Sequence, residues 1–166
     1  MDTGWSLRPV RDDDAPAITV MIAEVFAQFE GCVFDMLGEW AHIYTPASWA
    51  AEEMRAFWVV ESNDDKRILA TVACAPAATP EDPAMAELKH LYVADDARRL
   101  GLGKSLVEHV ENHARDLGVN HIFLWSDTRF TAAHRLYKRL GYTQSANVRA
   151  LWDISNSFDY RFDKGL

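Results

Sequence analysis

Gly101-Leu102-Gly103-Lys104-Ser105 sets two glycines, a cation and a hydroxyl directly ahead of a helical apolar pattern. Residues of these types in this order can hold a phosphate, because glycine lets the backbone approach closely and the first amides of a helix have no partner inside it. Three phosphate-binding patterns compete for the stretch. The nucleotide loop G-x-x-x-x-G-K-[ST] ends in the same Gly103, Lys104 and Ser105 but needs its leading glycine at position 98, where Arg98 stands. The dinucleotide fingerprint G-x-G-x-x-G uses Gly101 and Gly103, then meets Leu106 where a third glycine must permit close helix–strand packing. The third is R-x-x-G-x-G, written by Arg98, Arg99, Leu100, Gly101, Leu102 and Gly103 between a strand-like run and a helix start. A diphosphate suits that end, drawn by unpartnered amides and the positive end of the helix dipole.

The loop does not stand alone. "ELKHLYV" (87–93) precedes it and "AAHRLYKRLGY" (132–142) follows it. In these motifs, their order and their approximate spacing, the chain resembles the GNAT superfamily of N-acyltransferases, and the resemblance in segment order runs over nearly the whole chain. It implies acetyl-CoA as co-substrate, its pyrophosphate on the loop from Arg98 to Ser105, with Lys104 and Ser105 in the first helical turn. It also implies that Leu91, Tyr92 and Val93 turn backbone groups toward the pantetheine arm and one amide toward the thioester oxygen. The expected reaction is direct attack of a primary amine on the thioester in a ternary complex, on a small molecule ahead of a peptide or protein amine. That chemistry needs an unprotonated amine, a polarised carbonyl and a proton for the leaving thiolate. Tyr137 occupies the family's position for the acid, and a phenol with a reference pKa of about 10 keeps its proton at pH 7. Read without the resemblance, Tyr137 is an amphipathic core aromatic. Glu87 matches a glutamate that takes the amine proton in some relatives, often through water; its plain alternative is a strand-surface pair with a lysine or arginine. His90 is a second candidate base by its reference pKa, about 6.5, and otherwise a structural strand histidine.

One residue departs from the family pattern. Relatives often carry an asparagine seven residues before the helix tyrosine, hydrogen-bonded to the pantetheine arm, and here Phe130 stands there. Thr128 or Thr131 could replace that bond, or apolar contact could hold the arm instead. The substitution lends weight to the alternative of a non-catalytic acyl-CoA-binding regulatory module.

These residues need a scaffold, and the composition supplies one. The chain has 166 residues, 49% of them hydrophobic, enough for one domain over 1–166 with a real core. Its net charge of −8 disfavours DNA or RNA, and no basic patch with interleaved aromatics offsets it. Cys32 and Cys74 stand far apart without metal-ligand spacing, so no metal is expected; both read as buried apolar fillers in a reducing, cytoplasmic setting. No run has the length of a signal core or a membrane span. The expected partner is a small-molecule amine, with neither nucleic acid nor membrane, and a homodimer because relatives often dimerise.

Periodicity orders the elements. A strand over Trp5–Val10 leads to a helix from the Asp12–Asp14 run to about Phe29, then one or two short helices between Glu30 and Glu53. The stretches 56–62 and 67–76 read as a hairpin turned at Asn63-Asp64-Asp65, and a loop with Pro76, Pro80 and Pro83 leads to a strand over 86–94. Leu102, Leu106, Val107, Val110, Ala114 and Leu117 then share one side of a helix ended by Gly118, followed by a strand over 121–127 and a helix over 131–141. One or two strands close the chain. The order predicts a mixed α/β (α+β) sheet with helices on both faces, mostly antiparallel as in the GNAT fold. The variable region from Phe26 to Trp58 carries Phe29, Phe34, Trp40, Tyr44 and Trp49 among Glu30, Asp35 and Glu39. Together with Arg149, Asp153 and Asn156 it is the expected acceptor side, suited to an ammonium, although such aromatics can equally pack helices onto the sheet.

Overall fold

From Ile68 to Ala75 every side chain is buried, as a strand covered on both faces requires. The computed structural model describes residues 4–76 and 85–166. In chain order the elements are β1 (Trp5–Pro9), α1 (Ala15–Phe26), α2 (Pro46–Glu52), β2 (Ala56–Ser62), β3 (Ile68–Pro76) and β4 (Met85–Val93). They continue with α3 (Leu102–Asp116), β5 (His121–Asp127), α4 (Thr131–Arg139), β6 (Thr143–Ala150) and β7 (Phe158–Gly165). The strands form one sheet in the order β1-β2-β3-β4-β5-β7-β6, antiparallel except for the β4–β5 pair. The mixed, mostly antiparallel sheet is therefore as expected, although Pro80 and Pro83 of the expected loop lie outside the described residues.

Two neighbouring residues of β2 show how the layers are built. Trp58 meets His109 and His113 of α3 edge-on at 4.6 and 4.9 Å, whereas Phe57, pointing the other way, meets Trp49 of α2 at 6.4 Å. The α1 helix shares the α2 face, since Phe26 packs on Trp40 at 5.7 Å and Trp40 is linked through His42 to Trp49. On the opposite face α4 sets His134 and Tyr137 against Phe162 of β7, and Lys164, two residues on, holds Glu111 of α3 at 2.8 Å. Helices cover both faces.

The α3 pattern behaves as its spacing predicts, with Leu102, Leu106, Val107, Val110 and Ala114 buried; Leu117, at the C-cap, is exposed instead. Gly118 and Gly141 end their turns at φ of 77° and 89°. The first helix stops at Phe26, three residues short of expectation, because the chain turns there toward Gly31 at φ 77°.

An ion cluster joins β1 to the start of α1. Arg8 donates to Asp14 at 2.7 Å and to Glu61 of β2 at 2.6 Å, and the Arg11 amide also donates to Asp14. Burial would raise the Asp14 pKa, but these donors prevail and hold it below the ordinary carboxylate range. Arg8→Ala leaves that carboxylate, 7% exposed, without its guanidinium and is expected to cost about 2–3 kcal/mol at pH 7. A depressed carboxyl pKa stabilises the fold above the ordinary range and loses that contribution as pH falls through the depressed value. Urea titrations should therefore show the gap between wild type and variant closing on acidification, and a gap that stays constant to low pH would contradict this assignment.

Candidate functional site

The β4–β5 pairing ends early. Met85, Ala86 and Glu87 pair with His121, Ile122 and Phe123; beyond Glu87, β4 keeps only β3 as neighbour and β5 only β7. The cause lies in β4 itself. Register against β3 jumps from Ala73↔Lys89 to Thr71↔Tyr92, and within that bulge His90 adopts φ 52°. A non-glycine residue in the left-handed region costs on the order of 1–3 kcal/mol; the Thr71 hydroxyl, donating to the His90 carbonyl at 2.7 Å, helps hold it. An extra residue bends a strand, so β4 swings away from β5 and its free edge faces a cleft of about 400 Å³.

At one end of this system stands α3. Gly101, at φ 80°, caps it with no side chain, and the first helical bond is made by the Ser105 amide to the Gly101 carbonyl at 3.0 Å. The amides of Leu102, Gly103 and Lys104 precede that bond and keep the positive end of a 15-residue helix open. A Cβ built on Gly103 would lie 3.1 Å from Leu136 of α4, so the loop glycine also lets α4 pack against the first turn. Arg98 pairs with Asp95 and Gln28 at 2.8 Å, Lys104 stands 3.7 Å from Glu108, and Arg99 and Leu100 are exposed.

Tyr137 follows Leu136 and carries the contact into the cleft. It is 5% exposed yet lines the cavity, burial raises its phenol pKa, and no group among the described residues hydrogen-bonds its hydroxyl. Tyr92 lies opposite on β4, its phenol kept neutral by burial and then by Tyr137, Asp159, Glu39 and Asp127. Leu91 also lines the cavity, and Val93 ends the strand. Glu87 borders the same space and forms an ion pair with Lys89 at 3.2 Å, the lysine pairing that its plain alternative expected. His90 packs among Trp40, His42, Trp49 and Phe57, and its Nε2 has no hydrogen-bond partner. Burial, then His42, Lys89 and Arg55, push its pKa well below the usual histidine range, which suits a structural role.

Across the cleft are residues from the variable region and the chain's end. Glu39, Trp40 and Trp49 line it with Arg149 and Asp153, as expected, while Asp35 borders a smaller adjoining hollow. Phe34 is a packing residue between Phe26 and Trp40, and Tyr44, Glu30 and Asn156 lie away from the cavity. Phe130 lines the cleft with an apolar surface, its ring tilted against Phe29 at 4.6 Å; Thr128 and Thr131 do not line it. Cys74 is buried, but Cys32 is not the buried filler expected: the turn at Gly31 leaves it half-buried on the cleft wall. Sequence reasoning missed His42, Trp125 and Asp159. Only the alternation of "SFDYRFDK" hinted that Asp159 shares a face with Arg161, and nothing local told that β7 would lie between β5 and β6.

Comparison with known proteins bears on the arrangement. Residues 21–142 match the family model described as "Acetyltransferase (GNAT) family". Human N-acetyltransferase 8 is 32% identical over 102 residues, covering 59% of this chain and 43% of the human protein. A mycothiol acetyltransferase from Pseudarthrobacter chlorophenolicus is 39% identical over 72 residues, covering 43% of this chain and 20% of the relative. The chain thus spans less than half the length of either. An acetyltransferase from Streptococcus agalactiae superposes with a TM-score of 0.78 at 18% identity over 98% of this chain and 99% of its own. A Salmonella typhimurium structure described with its cofactor acetyl-CoA gives 0.75 at 17% identity, over 98% and 94%. At these identities the superpositions establish the fold. No helix among the described residues is long and apolar enough to cross a membrane.

Proposed function

Because this chain belongs to the GNAT acetyltransferase family, we propose that it moves an acetyl group from acetyl-CoA to a primary amine of a small molecule. The observation that carries the reading is the parting of β4 from β5: the unpaired edge of β4 and the phenol of Tyr137 border the resulting cleft, and the start of α3, with three unbonded amides, meets α4 where Gly103 packs on Leu136, the residue before Tyr137. These residues fit acetyl-CoA, since the helix start and Arg98 to Ser105 offer donors to a diphosphate and the β4 edge offers backbone groups to an amide-bearing arm. Phe130, with Phe26 and Phe29, gives the arm an apolar wall in place of an amide contact. Bound there, the cofactor supplies an acetyl group activated as a thioester.

The chain's own residues do the rest. A backbone amide on the bulged part of β4, around Leu91 to Val93, polarises the thioester carbonyl. Glu87 receives the proton released as the amine nitrogen bonds to the acetyl carbon, directly or through water, with Lys89 balancing its charge. Tyr137 donates its proton to the sulfur as the carbon–sulfur bond breaks. The attacking neutral amine gives one proton to Glu87 and the thiolate takes one from Tyr137; passage of the Glu87 proton to the phenolate through solvent restores both groups, so amide and thiol form in balance.

Thiol release from acetyl-CoA, followed with a panel of amines, tests the reading. The expected result is saturable, amine-dependent release, reduced about 10–100-fold by Glu87→Gln with the largest loss below neutral pH, where fewer acceptor amines are already unprotonated. Saturable acetyl-CoA binding without release for any amine would instead favour a non-catalytic binding module.

A further inference from the structure

The acceptor side of the cleft holds more negative charge than its own cations answer. Asp127 is paired with Arg129 at 2.6 Å, Glu87 with Lys89 at 3.2 Å and Asp159 with Arg149 at 2.9 Å, but Glu39 and Asp153 have no cation within ion-pair distance among the described residues. Glu39 comes from the loop ahead of α2, Asp153 from the β6–β7 loop and Asp159 from β7. The three are close enough to act on one another: burial raises the Glu39 and Asp159 pKa values, and Asp153 raises both further. Arg149, which holds Asp159, also lies over Trp125 at 4.4 Å, and Arg55, the other guanidinium lining the cavity, lies over Trp49 at 4.8 Å and pairs with Glu53.

This charge lies along the same cavity as the reacting centre. Tyr92 lines the same cavity as Tyr137, Asp159 and Glu39, and all three act on its phenol. Tyr137, its side chain 5% exposed and its hydroxyl without a hydrogen-bond partner among the described residues, marks the cavity independently as one that receives a ligand.

We propose that the acceptor is an aliphatic diamine or polyamine, one amine presented to the thioester beside Glu87 and Tyr137 and a second held as an ammonium by Glu39, Asp153 and Asp159. The proposal rests on the acetyltransferase reading above. Its physical basis is a division of labour between carboxylates. An amine must lose a proton to attack, and a group of three carboxylates of which two, Glu39 and Asp153, have no cation among the described residues does the opposite, stabilising the charged ammonium and keeping its lone pair occupied. Such a cluster is unsuited to the nucleophile and suited to a spectator cation. Glu87, whose charge Lys89 already balances, can take a proton from the attacking nitrogen without pinning it as an ammonium. The indole and phenol walls of Trp40, Trp125 and Tyr92 add apolar surface for the methylene chain between the two nitrogens.

Initial rates of thiol release with matched pairs, butylamine against diaminobutane and hexylamine against diaminohexane, decide it. The diamine is expected to exceed its monoamine in kcat/KM by about 10-fold or more, mostly through KM, with the advantage shrinking as salt rises. The double variant Glu39→Gln/Asp153→Asn should bring the diamine-to-monoamine ratio close to one while keeping the thermal shift produced by acetyl-CoA. Equal rates for each pair in the wild type, or a ratio unchanged in the double variant, would overturn the second-ammonium site and leave the acetyltransferase reading standing. Transfer to no amine at all would overturn both.

Discussion

Tyr137→Phe is expected to lower kcat by about 10²–10⁴-fold while acetyl-CoA affinity stays within about twofold of wild type. The size follows from the chemistry of the leaving group. A thiolate departing an acyl carbon needs a proton from a positioned donor, and Tyr137, a buried side chain, borders the cleft with no hydrogen-bond partner for its hydroxyl among the described residues. That same lack of a partner makes the test clean. Removing a bonded hydroxyl would orphan another group and confuse stability with catalysis, whereas here the melting temperature should hardly move. The pH profile adds a second criterion. Burial raises the phenol pKa, so the acid keeps its proton through the alkaline range where an ordinary tyrosine, near 10, would lose it. The wild-type rate should therefore show no alkaline decline below that point on account of Tyr137. Wild-type turnover by the phenylalanine variant would remove Tyr137 from the acid role and move attention to Tyr92.

The parts of this site that were readable in the sequence are those set by local rules. Leu102, Leu106, Val107, Val110 and Ala114 recur at helical spacing because one face of α3 must be buried, and the glycines at 101, 118 and 141 stand where φ is positive. What stayed hidden depends on partners distant in the chain. His90 gives no sign that it sits at φ 52° in a bulge, since a bulge is a mismatch between two strands and neither strand alone encodes it. The parting of β4 from β5 accompanies that mismatch, and in the sequence only the family resemblance pointed to exposed backbone at Leu91, Tyr92 and Val93. The acceptor wall was partly legible: Glu39, Trp40, Trp49, Arg149 and Asp153 were expected there, but Trp125 enters it because β5 runs unpaired with β4 beyond Phe123, and Asp159 because β7 lies beside β5. From Glu30 to Glu53 the expected one or two short helices are present, as a 3-10 turn over Ala41–Tyr44 and α2, but their bounds were not legible because Gly31, Gly38 and Pro46 break every period early. Cys32 shows the same failure at one residue, because a small apolar side chain looks identical in a core and on a cleft wall.

The last prediction separates the phosphate grip from the fold that supports it. Gly103→Asp places a carboxylate in the first turn of α3, where the three free amides and the helix dipole would otherwise meet a diphosphate. For the helix this is a favourable exchange, since an acidic residue in a first turn stabilises it by about 0.3–1 kcal/mol. The new Cβ meets the Leu136 side chain at 3.1 Å, a contact a leucine relieves by shifting a few tenths of an ångström. The free protein should consequently melt near the wild-type temperature. For the cofactor the exchange is adverse, because the carboxylate occupies the amides' donors and repels the phosphates. Wild type with acetyl-CoA at about 100 times its dissociation constant gains about 2.7 kcal/mol, a rise of roughly 5–11 °C at about 2–4 °C per kcal/mol for a chain of this size. The variant at the same acetyl-CoA concentration should show almost no rise. Gly101→Asp serves as the contrast: its site is open, but φ of 80° costs a non-glycine residue about 1–2 kcal/mol, so that variant should lose stability as well as cofactor binding. Were Gly103→Asp to keep the full thermal shift, the diphosphate could not rest on the start of α3, and the path from there to Tyr137 would have to begin elsewhere.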